Sequence, residues 1–285
     1  MYQFRLSGFA DEAGIDADEQ MNVLEKNGIH QLELRSIDGK GILELDDAAL
    51  EALAEKFMRR GFSVSSIGSP IGKSPIEADF SLVRASFEKV LKAAEILKAP
   101  YIRGFDFYIP GDSDPLRWAD EVVYRVSELV MRAKDRGVAY ALENESGIFS
   151  SLPERCVYVL DRVPNLVMAF DPGNFIMNDA SPWAAWPLLK SRTAYFHIKD
   201  ATNEPKRFVP AGEGDGGMDK ILKDAFESGF DGVLSVEPHL GYRADLNDAQ
   251  RFTTAANALK RLLNRLFHAG FEELDPMTFC KKGEI

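Results

Sequence analysis

The sequence predicts an α/β protein built as a single (β/α)8 TIM barrel. Short apolar runs typical of buried strands alternate along the chain with longer segments whose apolar residues recur at helical spacing. Eight such runs occur, each followed by a helical segment, and this alternation is typical of parallel sheets. The first run leads into GFADEAG, which lacks the glycine-rich nucleotide loops of open sheets. These observations favour a closed barrel.

The predicted strands and helices alternate along the chain, and residues typical of helix starts and ends lie at several of their boundaries. The predicted strands span residues 4–9, 31–34, 63–67, 101–105, 138–142, 166–170, 194–198 and 233–236. The clearest predicted helices span residues 46–60, 80–97, 115–136, 153–162, 182–190, 218–228 and 245–267. Gly61, Gly137 and Gly229 each follow a predicted helix, where a left-handed residue commonly ends it. Ser181 precedes Pro182, which is typical of a helix start.

The chain is predicted to form one domain. No repeat, low-complexity tract or linker interrupts the series of strands and helices. We expect the barrel to span residues 1–267. Residues 268–285 mix charged residues with Phe, Leu and Met, and we expect them to form a C-terminal tail packed on the barrel.

Composition and charge exclude several classes of protein. No run of about 18 uncharged apolar residues predicts a membrane span, and the first residues do not read as a secretory signal. Two cysteines are too few for a disulfide framework, so we expect a cytoplasmic protein. Lys and Arg total 34 against 45 Asp and Glu, a net charge of −11 that argues against a nucleic-acid partner.

Polar residues end four successive predicted strands. Glu143, Asp171, His197 and Glu237 each follow or end an apolar run. Side chains at the C-terminal ends of barrel strands meet at one shared mouth, so we expect these four to converge. A lone carboxylate there is commonly a helix cap, but four coincidences in successive units favour a metal site. Three carboxylates and an imidazole suit one divalent cation such as Mn²⁺, Mg²⁺, Co²⁺ or Zn²⁺.

The motifs at these positions resemble those of a known superfamily. ALEN, FDPGN, HIKD and SVEPH occur in that order, with GEG between the last two. GFADE at the first strand and SSIGSPIGK at the third extend the likeness over nearly the whole chain. The chain resembles the xylose isomerase-like TIM-barrel superfamily, in particular its sugar phosphate isomerase/epimerase branch. Its members also include inosose and dehydroshikimate dehydratases and metal-dependent apurinic endonucleases.

The resemblance implies roles for the four residues. Glu143, Asp171, His197 and Glu237 match the superfamily's metal ligands, and Glu143 and Glu237 match the acid/base pair of its ketose epimerases. One departure is Asn174, where many relatives have a histidine that contacts substrate or an extra metal. This departure counts against a multi-metal site of the endonuclease type.

The leading functional prediction is a metal-dependent sugar or sugar-phosphate isomerase or epimerase. Two carboxylates would move a proton while the metal stabilises an enediolate. A dehydratase with the same metal site is the closest alternative. A metal-dependent endonuclease is disfavoured by the net charge, and a barrel that binds a polyol without turnover is disfavoured by the presence of both glutamates.

Further residues are candidates for binding a sugar or polyol substrate. Lys199 is expected to polarise a carbonyl, and His239 to bond a substrate hydroxyl or support Glu237. The other candidates are Asn174, Arg207 and Arg103, although a salt bridge at the rim is the alternative for Arg103. The resemblance also implies a homodimer or homotetramer.

Whether the substrate carries a phosphate is left open by the sequence. Its candidate contacts are the glycine-rich segment at 212–217, Lys73, and Lys206 with Arg207. The alternative for the glycine-rich segment is a structural turn before a helix.

Overall fold

The computed structural model describes residues 2–280 and contains eight parallel strands around one axis. They are β1 (Arg5–Gly8), β2 (Gln31–Leu34), β3 (Ser63–Gly68), β4 (Tyr101–Gly104), β5 (Ala139–Glu143), β6 (Val167–Phe170), β7 (Thr193–Ile198) and β8 (Val233–Val236). Each strand from β2 to β8 pairs with the next in sequence, and β8 pairs with β1. Phe9, which directly follows β1, forms a parallel bridge with Glu33 in β2. This bridge brings the two edges of the sheet together, so the barrel is nearly closed. The predicted barrel is confirmed.

Helices cover the outside of the barrel. They are α1 (Ala17–Lys26), α2 (Asp47–Arg59), α3 (Phe80–Leu97), α4 (Ala119–Asp135), α5 (Pro153–Arg162), α6 (Pro172–Met177), α7 (Pro182–Leu189), α8 (Met218–Glu227) and α9 (Asp248–Phe267). Every barrel strand is followed by at least one of them, as the alternation predicts. Gly61, Gly137 and Gly229 have φ angles of +73°, +71° and +89°, as expected of residues that end helices.

The structure differs from the predicted elements in several places, among them a short helix, α6, that the predicted helices do not include. A 3-10 turn (Pro115–Trp118) precedes α4, where one continuous helix was expected. Helix α9 begins at Asp248 rather than at 245, because the side chains of Asn247 and Gln250 each accept the other's backbone N–H at 2.9 Å. Two hairpins were not predicted: Ser36–Ile37 with Lys40–Gly41, and Asp200–Asn203 with Lys206–Val209. Their strands are too short for a periodic pattern.

Strand alternation decides which side chains enter the barrel. Leu142, Phe170, Phe196 and Leu234 belong to the large apolar core between strands and helices. The residues preceding each of these along the chain form a separate small cluster: Ala141, Ala169, Tyr195 and Val233. Because alternate side chains point to opposite faces, this second cluster lies inside the barrel. Continuing along the same inner face leads to the four polar residues singled out above.

The tail after α9 lies against that helix. The side chains of Asn257 and Asn264 hydrogen-bond to the backbone of Leu274 and Phe271. The side chain of Asn247 donates to the Phe279 carbonyl at 3.0 Å. Residues 281–285 of the predicted tail lie outside the described residues, and the assignment of a single domain with a tail stays a prediction.

Across residues 2–280, none of the helices has the length and apolar character needed to cross a membrane.

Three loops at the C-terminal end of the barrel are joined by backbone hydrogen bonds. We call residues 69–79, 105–114 and 144–152 the upper loops; they follow β3, β4 and β5. Phe107 donates to the Gly72 carbonyl, and Phe149 donates to the Phe107 carbonyl. Gly72 has a φ of +85° and no room for a Cβ atom against the Phe105 carbonyl. The upper loops therefore form one connected wall of the mouth.

A buried carboxyl group joins the second and third of the upper loops. Asp106 is fully buried and accepts hydrogen bonds from the backbone N–H of Ser150, at 3.0 Å, and from the Ser150 hydroxyl. Burial raises the pKa of Asp106 to about 6, although the bonds from Ser150 oppose the shift. The native state therefore holds this proton more tightly than the unfolded state, where the pKa is about 3.9.

This difference predicts a pH-dependent stability difference between the wild type and Asp106→Asn. Stability contributed by the protonated carboxyl group is lost as pH rises through about 6, and an amide has no such loss. Relative to Asp106→Asn, the wild type should lose about 2 kcal/mol of unfolding free energy between about pH 4.5 and 7.5. Denaturant titrations of both proteins at the two pH values measure the free energies of unfolding. Equal pH dependence in the two proteins would contradict the assignment.

Candidate functional site

Four side chains converge inside the mouth of the barrel. Glu143 ends β5, Asp171 follows β6, His197 lies in β7, and Glu237 follows β8. All four are buried, and one ligand atom from each lies within 4.8 Å of the others. The structure thus brings together the residues that the sequence selects. Their role as metal ligands stays a prediction.

The geometry of the cluster is compact and centred on one nitrogen. His197 Nδ1 lies 3.3 Å from Glu143 Oε1, 3.7 Å from Asp171 Oδ2 and 3.5 Å from Glu237 Oε2. Each carboxylate therefore turns one oxygen toward the same small space. We call these four residues the carboxylate–histidine cluster.

The second oxygen of each carboxylate is held by another group. Glu143 Oε2 lies 3.0 Å from Arg103 Nε. Asp171 Oδ1 accepts the backbone N–H of Asn174 at 2.8 Å, because Asp171 caps helix α6. Glu237 Oε1 lies 3.1 Å from His239 Nε2. These partners fix the orientation of all three carboxylates.

Two further residues contact the cluster directly. Asn174 donates its side-chain amide to Glu143 Oε1 at 3.0 Å. Lys199 Nζ lies 2.7 Å from Asp171 Oδ2 and 3.0 Å from Glu237 Oε2. Burial lowers the pKa of an ammonium group, but the Asp171 and Glu237 carboxylates outweigh burial and raise the pKa of Lys199. Lys199 is therefore a buried cation among the carboxylates.

The carboxylates respond differently to the same surroundings. Burial alone would raise the pKa of Glu143, but the charges of His197 and Arg103 lower it to about 2. Burial raises the pKa of Asp171 in spite of the Lys199 ammonium. The Lys199 ammonium outweighs burial and lowers the pKa of Glu237 as well. Asp171 is therefore the carboxylate of the cluster whose ionised form is disfavoured.

Glu33 contacts His197 on the side away from the cluster. It lies inside the barrel, and its Oε1 atom is 3.3 Å from His197 Nε2 and accepts the Tyr195 hydroxyl at 3.0 Å. Glu33 lies near the end of a predicted strand, and from the sequence alone a salt bridge is the role expected of it. Strand alternation would have placed it on the inner face of β2, between two leucines that face outward. Its contact with His197 depends on the closure of the barrel.

The cluster fits a divalent cation. His197 Nδ1 is buried without an aligned hydrogen-bond partner, and the only Lys or Arg beside Asp171 Oδ2 among the described residues is Lys199. If Nε2–H donates to Glu33, loss of the Nδ1 proton would turn a lone pair toward the three carboxylate oxygens, and a cation held between them would replace the positive charge of the imidazolium. Three carboxylates and one imidazole are also ligands that Mn²⁺, Mg²⁺, Co²⁺ and Zn²⁺ accept. The donor set therefore matches the predicted cofactor.

A cavity of about 570 Å³ opens beside the cluster. Glu143 and Glu237 lie in its floor, and its walls include Arg35, Lys73 and Glu145. A second group of possible ligands, Glu12, Glu237 and His239, lies at one side of the same mouth. The cavity gives a small molecule access to both glutamates of the cluster.

The predicted substrate-binding residues separate into two groups. Lys199, Asn174 and Arg103 contact the cluster, and His239 contacts Glu237 from the partly exposed rim. Arg207 instead lies exposed on the second hairpin, with its guanidinium 4.7 Å from the centre of the Tyr242 ring. Arg207 does not line the cavity.

Glu33 is predicted to position His197 for metal binding. Titration of metal-free protein with Mn²⁺ should find about one ion per chain, and Glu33→Gln should weaken that binding by about tenfold to a hundredfold. The amide cannot hold the Nε2–H as a carboxylate does. Isothermal titration calorimetry measures both quantities.

Asp106→Asn is the matched control, since it also changes a buried acid to an amide but lies outside the cluster. Unchanged Mn²⁺ affinity in Glu33→Gln would remove Glu33 from this role. Two or three bound ions in the wild type would contradict a single-metal site.

Comparisons with known proteins agree with this architecture. A family model described as xylose isomerase-like TIM barrel matches residues 21–262. The structure of an IolI protein with a bound zinc atom is similar with a TM-score of 0.79 and 19% identity, covering 93% of this chain and 99% of that one. A D-tagatose 3-epimerase-like protein has a TM-score of 0.75 and 18% identity, covering 93% and 99%.

A third solved structure has a different described activity. The probable 3-DHS dehydratase AsbF from Bacillus anthracis has a TM-score of 0.73 and 18% identity, covering 93% of this chain and all of that one (100%). At such identities the solved structures establish the fold. The family model covers most of the sequence, and the chain belongs to the xylose isomerase-like TIM barrel family.

Proposed function

We propose that the protein is a divalent-metal-dependent isomerase or epimerase of sugars or related polyols. One observation carries the proposal: Glu143 and Glu237 share a buried cluster with Asp171 and His197, and both line the cavity that a substrate would enter. An isomerase or epimerase needs two groups that exchange a proton with carbon, and two carboxylates at one cavity provide them.

Membership of the family and the described relatives support the proposal. One similar structure is called D-tagatose 3-epimerase-like, and the IolI structure contains zinc. In this chain, Asp171, His197, Glu143 and Glu237 would hold the cation. When bound, it supplies positive charge that stabilises negative charge developing on the substrate's carbonyl oxygen.

The surroundings of the two glutamates favour different proton roles. Glu143 Oε2 is paired with Arg103, a permanent cation, which favours the ionised carboxylate. Glu237 Oε1 is paired with His239, whose imidazole is partly exposed to solvent. A proton taken up at Glu237 Oε1 therefore has a path through His239 to water. We assign Glu237 as the base that takes the proton from carbon. In an isomerisation Glu237 returns the proton to the neighbouring carbon, and in an epimerisation Glu143, after taking a proton from solvent, donates it to the opposite face of the same carbon.

The proposal is tested by incubating the Mn²⁺-loaded protein with ketoses and inososes in D₂O. An isomerase or epimerase exchanges a carbon-bound proton with solvent and yields a product of unchanged composition, apart from deuterium. Mass spectrometry and proton NMR measure both properties. Loss of one water from the product would instead identify the dehydratase. Absence of any reaction across the panel, with binding retained, would leave a polyol-binding barrel and overturn the proposal.

Glu237→Gln should nearly abolish the exchange reaction. The substitution keeps the volume of the side chain but removes the proton acceptor, so the rate should fall by at least about a hundredfold at saturating Mn²⁺. Initial rates of deuterium incorporation measure the loss. Glu213→Gln is the control because Glu213 is exposed and lies outside the cluster and the cavity. A Glu237→Gln rate above about a tenth of wild type would rule out the assigned role.

A further inference from the structure

We infer that the substrate is an uncharged sugar or cyclitol rather than a phosphate ester. This inference rests on the proposed function and narrows its substrate class. The inference follows because the backbone N–H groups and the cations that could bind a phosphate at the mouth are already paired with carboxylates of the protein.

The glycine-rich segment at 212–217 is filled by a carboxylate of the protein itself. Phosphate in TIM barrels is frequently bound by backbone N–H groups in the loops after the seventh and eighth strands. Here Asp200 Oδ2 accepts the N–H groups of Gly212 at 2.9 Å and Gly214 at 3.2 Å, and Oδ1 accepts that of Gly216 at 3.0 Å. Asp200 is buried, so no phosphate reaches these donors without displacing it.

The glycines of this segment are explained by the same contact. A Cβ atom at Gly214 would lie 2.5 Å from Asp200 Oδ1, and one at Gly216 would lie 2.6 Å from it. The segment therefore needs glycine to close around an internal carboxylate, and a ligand is not required to explain it. This agrees with the structural turn that the sequence left as an alternative.

The two lysines considered for a phosphate are paired with carboxylates. Lys73, on the wall of the cavity, lies 2.9 Å from Glu145 Oε2. Lys206 lies 2.6 Å from Asp179 Oδ1 and does not line the cavity. Recruiting Lys73 for a phosphate would leave Glu145 beside the new negative charge, which is unfavourable.

The arginines of the cavity are also engaged. Arg35 Nε lies 2.7 Å from Asp11 Oδ2, and its other nitrogens lie 3.3 Å from Glu12 and 3.4 Å from Glu237. Arg103 contacts Glu143 and donates to the Ser69 carbonyl at 2.6 Å. Within residues 2–280, every Lys and Arg that lines the cavity therefore has a carboxylate within 4.0 Å.

The overall charge of the residues that line the cavity also favours an uncharged substrate. Five carboxylates line the cavity, from Asp11, Glu44, Glu143, Glu145 and Glu237, against three permanent cations and His239. A divalent cation in the cluster would bring this balance close to neutral, so the lining offers a doubly charged phosphate little net positive charge. Sugar hydroxyls suit the lining, because each can donate a hydrogen bond to a carboxylate and accept one from a cation.

The test compares matched ligand pairs on the Mn²⁺-loaded protein by isothermal titration calorimetry. The pairs are D-fructose with D-fructose 6-phosphate, D-ribulose with D-ribulose 5-phosphate, and myo-inositol with myo-inositol 1-phosphate. In each pair, the free compound should bind at least tenfold more tightly than its phosphate ester. Tighter binding of a phosphate ester would overturn the inference.

A pair of variants tests whether the Lys73–Glu145 contact contributes to the exclusion. Glu145→Gln releases Lys73 into the cavity and should shift the preference at least fivefold toward the phosphate ester. Asp179→Asn releases Lys206 in the same way but outside the cavity, so it should leave the preference as in wild type. Equal preferences in all three proteins would contradict the assigned role of this ion pair.

Failure of this inference and failure of the proposed function give different results. Solvent exchange into phosphate esters alone would leave an isomerase or epimerase standing and reject the uncharged substrate. Preferential binding of the free compounds without exchange would retain the inference and reject the proposed activity.

Discussion

Burial of three carboxylates around one imidazole is the constraint on which the mouth of this barrel depends. Like charges confined in a region of low dielectric repel one another, so the cluster needs compensating groups. Lys199, Arg103 and Asn174 provide them from neighbouring strands and loops, and Glu33 holds the far side of the imidazole. The polar residues inside the barrel, next to the small apolar cluster, are therefore linked to one another through the charges and hydrogen bonds of the carboxylate–histidine cluster. Changing one member alters the charge balance of the rest.

The fold and the cluster could be predicted from the sequence because both depend on local patterns. Each of the four residues comes at the end of an apolar run, and parallel strands bring their ends to one edge. The partners of the cluster could not be predicted in the same way. The contact between Glu33 and His197 joins residues 164 positions apart across the barrel, and nothing in the local sequence specifies it. The same applies to Asp200, whose hydrogen-bond donors lie in a glycine-rich segment that the sequence also offers as a phosphate contact.

The cations of the mouth contribute mainly by holding carboxylates. Arg35, Arg103, Lys199 and Lys73 each lie against at least one acid, and several carboxylates are shared between two partners. The number of basic residues near the mouth of the barrel would suggest an anion-binding site. Their short distances to carboxylates indicate instead that these cations are already paired within the protein. In a chain with a net charge of −11, such internal pairing leaves little positive potential for an incoming anion.

The placement of the cluster on β5, β6, β7 and β8 also has a thermodynamic consequence. These strands are hydrogen-bonded neighbours in the barrel, and the four side chains lie in them or one residue beyond them, so the sheet positions them more than the long loops do. Opening of a loop would leave the ligand atoms together, and only disruption of the sheet would separate them. A cation bound in the cluster would therefore be linked to the global unfolding equilibrium, and above its dissociation constant the native barrel would be favoured in proportion to the logarithm of cation concentration.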